Sequence, residues 1–222
     1  MTRTRGWDGP TAGAMPPPDR LPRFTRAETW VHRSTAAIVA VLTVTGAILY
    51  DEQLALLFSR RLLIEGTHVV AGLLLPVPTL VGLWCSREFR ADVTTLARFA
   101  STDWDWLRRR DRRTAGLPVG KFNGGQKLAA ATVLGAALVL FGTGLLLLAP
   151  ARISLPVGVR QGATVTHDLF TFGLLVLLAG HLWLALRHPE ARAALRSGYV
   201  DRHYAEREHP AWAAESGHNS RR

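Results

Sequence analysis

The sequence contains one cysteine, Cys85, in 222 residues. One thiol cannot close an intrachain disulfide, supply the four thiolates of an iron–sulfur cluster or provide a Cys-x-x-Cys-His haem attachment site. Any haem held by this chain must therefore be bound non-covalently. Charge is also scarce over long stretches. Residues 67–84, 128–149 and 164–186 contain no Lys, Arg or Glu, and their only carboxylate is Asp168, near one end of the last stretch. The first 29 residues lack an apolar run, so no cleavable signal peptide is expected.

What is present is a membrane layout. Four apolar blocks, residues 30–50, 67–84, 128–149 and 164–186, each approach the ~20 residues a helix needs to cross ~30 Å of hydrocarbon. Lipid offers backbone groups no partners, and these blocks do not alternate as barrel strands do, so all four are expected to be helices. The expected fold is an all-α membrane protein, a four-transmembrane-helix up-down-up-down bundle, because the connections at 51–66 and 150–163 are short.

The formal net charge of +10 raises the question of nucleic acid, and its distribution answers it. Six Lys and Arg precede or open the first block, ten lie between residues 87 and 127, and seven follow from Arg187 onward. Only Arg60, Arg61, Arg152 and Arg160 fall in the other two connections. The positive-inside rule then places both termini and the 85–127 loop in the cytoplasm of a bacterial inner-membrane protein. With the surplus explained by topology, membrane lipid is an expected partner and nucleic acid is not, despite the arginine run at 108–113.

Three domains are expected. Residues 1–22, rich in Gly, Pro and Arg, read as a disordered cytoplasmic leader, 23–188 as the membrane domain, and 189–222 as a partly helical cytoplasmic tail. Phe24 and Trp30 are expected to anchor the first helix at the interface. A short amphipathic helix is expected near residues 103–110, where Trp104, Trp106 and Leu107 alternate with charge.

Ionisable side chains inside a bilayer are costly and are candidates for function. Four of the eight histidines, His32, His68, His167 and His181, fall in or at the ends of the first, second and fourth blocks. His167 and His181 are 14 residues apart, so they project from nearly one helix face about 21 Å apart along the axis. Topology sets His32 and His181 in the inner leaflet, His68 and His167 in the outer one. Two bis-histidine sites at two depths are the ligand set of two stacked b-type haems. His188, His203, His209 and His218 are expected on solvated surface or at the interface.

The segments Arg23-Phe24-Thr25-Arg26, Val31-His32 and Gly120-Lys121-Phe122-Asn123-Gly124-Gly125-Gln126-Lys127 add a further indication. With the His167 and His181 pair and Ser197-Gly198-Tyr199-Val200-Asp201, they make the chain resemble the cytochrome b (gamma) subunit of respiratory formate dehydrogenases, within the bacterial di-haem cytochrome b561 group. The resemblance runs over roughly residues 20 to 213. It implies haem iron ligated by His32 with His181 and by His68 with His167, and a quinone pocket involving Asn123, Gly125 and His181. It also implies partners: an outer-face iron–sulfur subunit, fed by a molybdenum or tungsten catalytic subunit, with menaquinone or ubiquinone as electron acceptor. Substrate catalysis would then lie on another chain. Lys121, Lys127, Arg33 and Arg187 are expected as snorkelling interface residues or as partners for haem propionates. Two other readings stay open: a hydrogenase-type or stand-alone cytochrome b561, and a non-redox four-helix scaffold with structural histidines.

Overall fold

The computed structural model describes residues 19–51, 53–54, 60–111, 116–148 and 155–219, with side chains through residue 216. In chain order its elements are β1 (Arg20–Pro22), α1 (Arg26–Tyr50), α2 (Arg61–Leu74), α3 (Val77–Cys85), α4 (Arg87–Ala97), α5 (Ser101–Arg108), α6 (Gly124–Leu148), α7 (Val157–Arg187), α8 (Pro189–Ser197), β2 (Tyr199–Asp201), α9 (Arg202–Glu208) and α10 (Pro210–Asn219). Four segments, Arg26–Tyr50, Arg61–Cys85, Gly124–Leu148 and Val157–Arg187, are long and apolar enough to cross a membrane. They coincide with the four blocks and make this an all-α four-helix membrane fold.

The second span is interrupted where proline requires it. Pro76 and Pro78 have no backbone N–H to give to the preceding turn, so α2 ends at Leu74. Leu75 N–H tightens onto the Gly72 carbonyl at 3.2 Å, and helical bonding resumes with Leu80 N–H on the Pro76 carbonyl at 3.0 Å. The spans bury little against one another. Leu62, Trp84 and Val176 are exposed at 85%, 87% and 73%, which water would penalise and hydrocarbon does not.

The chain forms two compact units. One comprises Trp30–Cys85 and Thr132–His181, and the other Met1–Thr29, Ser86–Ala131 and Leu182–Arg222. The first, the span unit, holds most of the apolar helices.

The second, the polar unit, was only partly anticipated. β1 pairs antiparallel with β2, Leu21 opposite Val200, so residues 20–22 are folded and the expected disordered leader cannot extend through them. The rest of that leader, residues 1–18, lies outside the described residues. Leu21, Ala194, Val200, Ala205 and Ala213 form a small core, with Phe24, Tyr204 and Trp212 packed on it. Phe24 is thus a core contact, where an interfacial anchor was expected. The residues from 189 onward share a compact unit with 86–131. Gly198 closes α8 at φ 82°, a conformation that a side chain disfavours, and its carbonyl accepts from the N–H groups of Arg23 and Phe24 at 2.8 and 3.1 Å.

The expected surface helix is present as α5, Ser101–Arg108, with Asp103 buried at its start and accepting the Ala100 N–H at 2.8 Å. It is preceded by α4, capped by the Ser86 hydroxyl accepting from Phe89 N–H at 3.1 Å.

Candidate functional site

All four span histidines meet partners within the span unit. His32, near the start of α1, faces His181, near the end of α7, with ring centroids 6.2 Å apart and planes tilted by 52°. That separation suits two residues that would together hold one haem iron, which would supply one-electron redox chemistry there. It is too long for the rings to hydrogen-bond each other directly.

His68 on α2 and His167 on α7 lie close enough to interact electrostatically. Each is held by a threonine on the helix beside it. Thr45 Oγ1 lies 2.8 Å from His68 Nδ1, and Thr143 Oγ1 lies 2.9 Å from His167 Nδ1. The glycine following Thr45 lets the ring come close: a Cβ on Gly46 would stand 3.3 Å from His68 Cε1, whereas one on Gly144 would make ordinary contact with His167 Cε1 at 3.7 Å.

Haem b fits these residues. Each site offers two imidazoles and no third ligand, and among the described residues no group of three or more His, Cys, Asp or Glu converges to chelate a bare metal ion. The Thr35 hydroxyl, one turn beyond His32 on α1, is buried without a hydrogen-bonding partner among the described residues. A buried hydroxyl left so costs free energy unless a group outside the chain satisfies it.

The glycine and lysine segment 120–127 is built into the polar unit. Asn123 and Gln126 cap α6 reciprocally: Asn123 Oδ1 accepts from Gln126 N–H at 2.9 Å, and Gln126 Oε1 from Asn123 N–H at 3.0 Å. A Cβ on Gly124 would run into the Asp103 carbonyl oxygen, and one on Gly125 would meet the Trp106 ring at 2.7 Å. The space that Gly125 leaves open is occupied by Trp106 of the same chain.

The two lysines are not free snorkelling residues. Lys121 Nζ pairs with Asp92 at 2.5 Å and Glu28 at 3.0 Å, and Lys127 Nζ with Asp103 at 2.7 Å while donating to the Arg98 carbonyl at 2.9 Å. Burial, reinforced by a hydrogen bond with Glu28 and opposed by Lys121, raises Asp92 to about 7, well above the usual carboxylate range. Arg187 stacks on Trp183 at 4.4 Å.

His209 also departs from expectation. It is 1% exposed, where solvated surface was expected. Nδ1–H donates to the Gly120 carbonyl at 2.8 Å, and Nε2 accepts from Arg23 Nη2 at 2.9 Å. His203 is exposed as expected, and His218 lies outside the described side chains.

Sequence reading did not single out Thr35, Thr45, Thr143, Glu28 or Asp92. The only signal for two of them was the dipeptide Thr-Gly, at 45–46 and again at 143–144, in otherwise apolar spans. A family model described as prokaryotic cytochrome b561 matches residues 23–197. No curated protein matches the chain.

Proposed function

The chain belongs to the prokaryotic cytochrome b561 family, and from that premise we propose that it is the di-haem membrane subunit of a formate dehydrogenase-like complex. Family membership and the four apolar helices make it a membrane electron-transfer protein that binds haem b and fits a bacterial inner membrane. The proposal adds the number of haems, their ligands, the donor and the acceptor.

The observation that carries it is the 6.2 Å spacing of His32 on α1 and His181 on α7, beside the threonine-held pair His68 on α2 and His167 on α7. In this reading His32 and His181 hold one haem, and His68 and His167 the other. When bound, haem b supplies a one-electron redox couple at each depth. The chain's own part is to fix the imidazoles, exclude water with apolar helices, and keep the two sites about 21 Å apart along α7.

The charge asymmetry supports cytoplasmic termini, which puts the His68 and His167 pair on the outer side. Electrons then enter from an iron–sulfur subunit outside, itself fed by a molybdenum or tungsten subunit, and leave to menaquinone or ubiquinone near the cytoplasm. A full inward crossing against the membrane potential costs about 2.3 kcal/mol per 100 mV, so the donor must be of low potential. Asn123 and Gly125 are the residues proposed to meet the quinone. The Asn123 amide NH2 is the donor for a quinone carbonyl, and rotation of Trp106 away from Gly125 would admit the ring.

The test is purification of the tagged chain from its native membrane in mild detergent, followed by an assay of formate-dependent menaquinone reduction. Co-purification of a molybdenum or tungsten protein with that activity is the expected result. Hydrogen-dependent reduction, or a b-type cytochrome that purifies alone, would replace the reading with the hydrogenase-type or stand-alone form.

A further inference from the structure

The two threonine contacts define a proton position as well as a distance. Thr45 Oγ1 lies 2.7 Å from the Val41 carbonyl and Thr143 Oγ1 2.8 Å from the Val139 carbonyl, with a second carbonyl at 3.3 and 3.2 Å. A hydroxyl has one proton, and a carbonyl can only accept. Each threonine therefore gives its proton to its own helix and accepts from histidine. His68 and His167 must both carry hydrogen on Nδ1, and each then presents the unprotonated Nε2 that a metal requires. Among the described residues no comparable hydrogen bond holds the ring of His32 or His181.

On the reading that these pairs ligate haem, we propose that Thr45 and Thr143 are positioning residues that lower the potential of the His68 and His167 site relative to the His32 and His181 site. An imidazole that donates from Nδ1 is a more basic ligand at Nε2, and a more basic ligand favours the ferric over the ferrous state. The first site becomes the better electron donor and the second the better acceptor. The asymmetry favours electron movement from the first pair to the second, and in the topology above that direction is inward, against the membrane potential. One electron moves and no proton does, because both Nδ1 protons stay in their hydrogen bonds. Gly46 completes the arrangement at Thr45 by allowing the His68 imidazole to approach α1.

The experiment is a redox titration of the purified full chain, wild type and variants, followed at the b-type α band. The wild type must show two midpoints. Thr45→Val and Thr143→Val remove the acceptor while keeping the shape, and each is expected to raise the lower midpoint by the equivalent of about tenfold in relative ferric affinity, about 59 mV for one electron. Thr45→Ser and Thr143→Ser restore the acceptor and should restore the wild-type value. If a valine variant loses haem instead, recovery of haem in the serine variant supports the same role. Unchanged midpoints in the valine variants, or equal haem loss with valine and serine, overturn it. A wild-type chain without haem would sink the underlying reading first, so the two failures are distinguishable.

Discussion

Arg23 donates from Nη2 to Nε2 of His209 at 2.9 Å, joining two residues 186 positions apart in a buried contact. The bond requires a neutral imidazole, because Nδ1 already donates to the Gly120 carbonyl. Burial, and then the Arg23 charge, lower His209 from 6.5 to about 4.

A pH dependence follows from that depression. Between pH 6.5 and 4 the unfolded chain binds a proton at His209 that the folded chain refuses, so this contribution to stability is full above 6.5 and declines as pH falls toward 4. The gap corresponds to about 3 kcal/mol at most. Hydrogen exchange of Tyr199–Trp212 peptides in the full chain should accelerate on moving from pH 7 to 5, after correction for intrinsic rates. His209→Gln should flatten that response, and an equally steep response in the variant would contradict the assignment.

Asp92 works in the opposite sense. Its folded value, raised from 3.8 to about 7, means the folded chain holds a proton that the unfolded chain releases above 3.8. Stability from this group is therefore present at low pH and lost as pH rises through 7. Asp92→Asn mimics the protonated carboxyl and leaves Glu28 paired with Lys121. The variant should match wild type below pH 3.8, exceed it in thermal midpoint at pH 5 and exceed it further at pH 8; a lower midpoint at both pH 5 and pH 8 would refute the argument.

Lys127 tests the polar unit at its most buried ion pair. Lys127→Met leaves the Asp103 carboxylate buried without its cation, a loss of about 3 to 5 kcal/mol. Circular dichroism melting in detergent should show a clearly lower first transition. Lys127→Met with Asp103→Leu, which removes both charges, should recover much of it.

The two glycines that open α6 should separate by what they touch. Gly124→Ala drives a Cβ into backbone, the Asp103 carbonyl, which no rotamer change relieves, and should cost about 1 to 3 kcal/mol. Gly125→Ala meets the movable Trp106 ring, so it should cost less and be relieved by Trp106→Ala. Equal costs for the two glycine variants, with no relief, would contradict the packing described.

The proximity of His32 and His181 was legible because position along a span is a property of a single helix: His32 lies near the start of α1 and His181 near the end of α7. Thr45 and Thr143 were not, since a threonine bonded to the carbonyl four residues earlier looks alike in any helix. The contact that matters comes from another helix, 23 or 24 residues away. The polar unit was hidden for a similar reason. Lys121 reaches Glu28 across 93 positions, and β1 finds β2 nearly the length of the chain away. Composition marks such segments only as polar. The Asn123 and Gly125 stretch was legible as special, yet its sequence does not distinguish a helix cap packed on Trp106 from a quinone contact.

Haem content per chain is the measurement on which the account rests, taken as a pyridine haemochrome assay on the purified wild type and on His32→Ala, His68→Ala, His167→Ala and His181→Ala. The account predicts two haems in the wild type and one in each variant, with His32→Ala spectrally matching His181→Ala, and His68→Ala matching His167→Ala. A colourless wild-type protein, or haem content unchanged in all four variants, would contradict it.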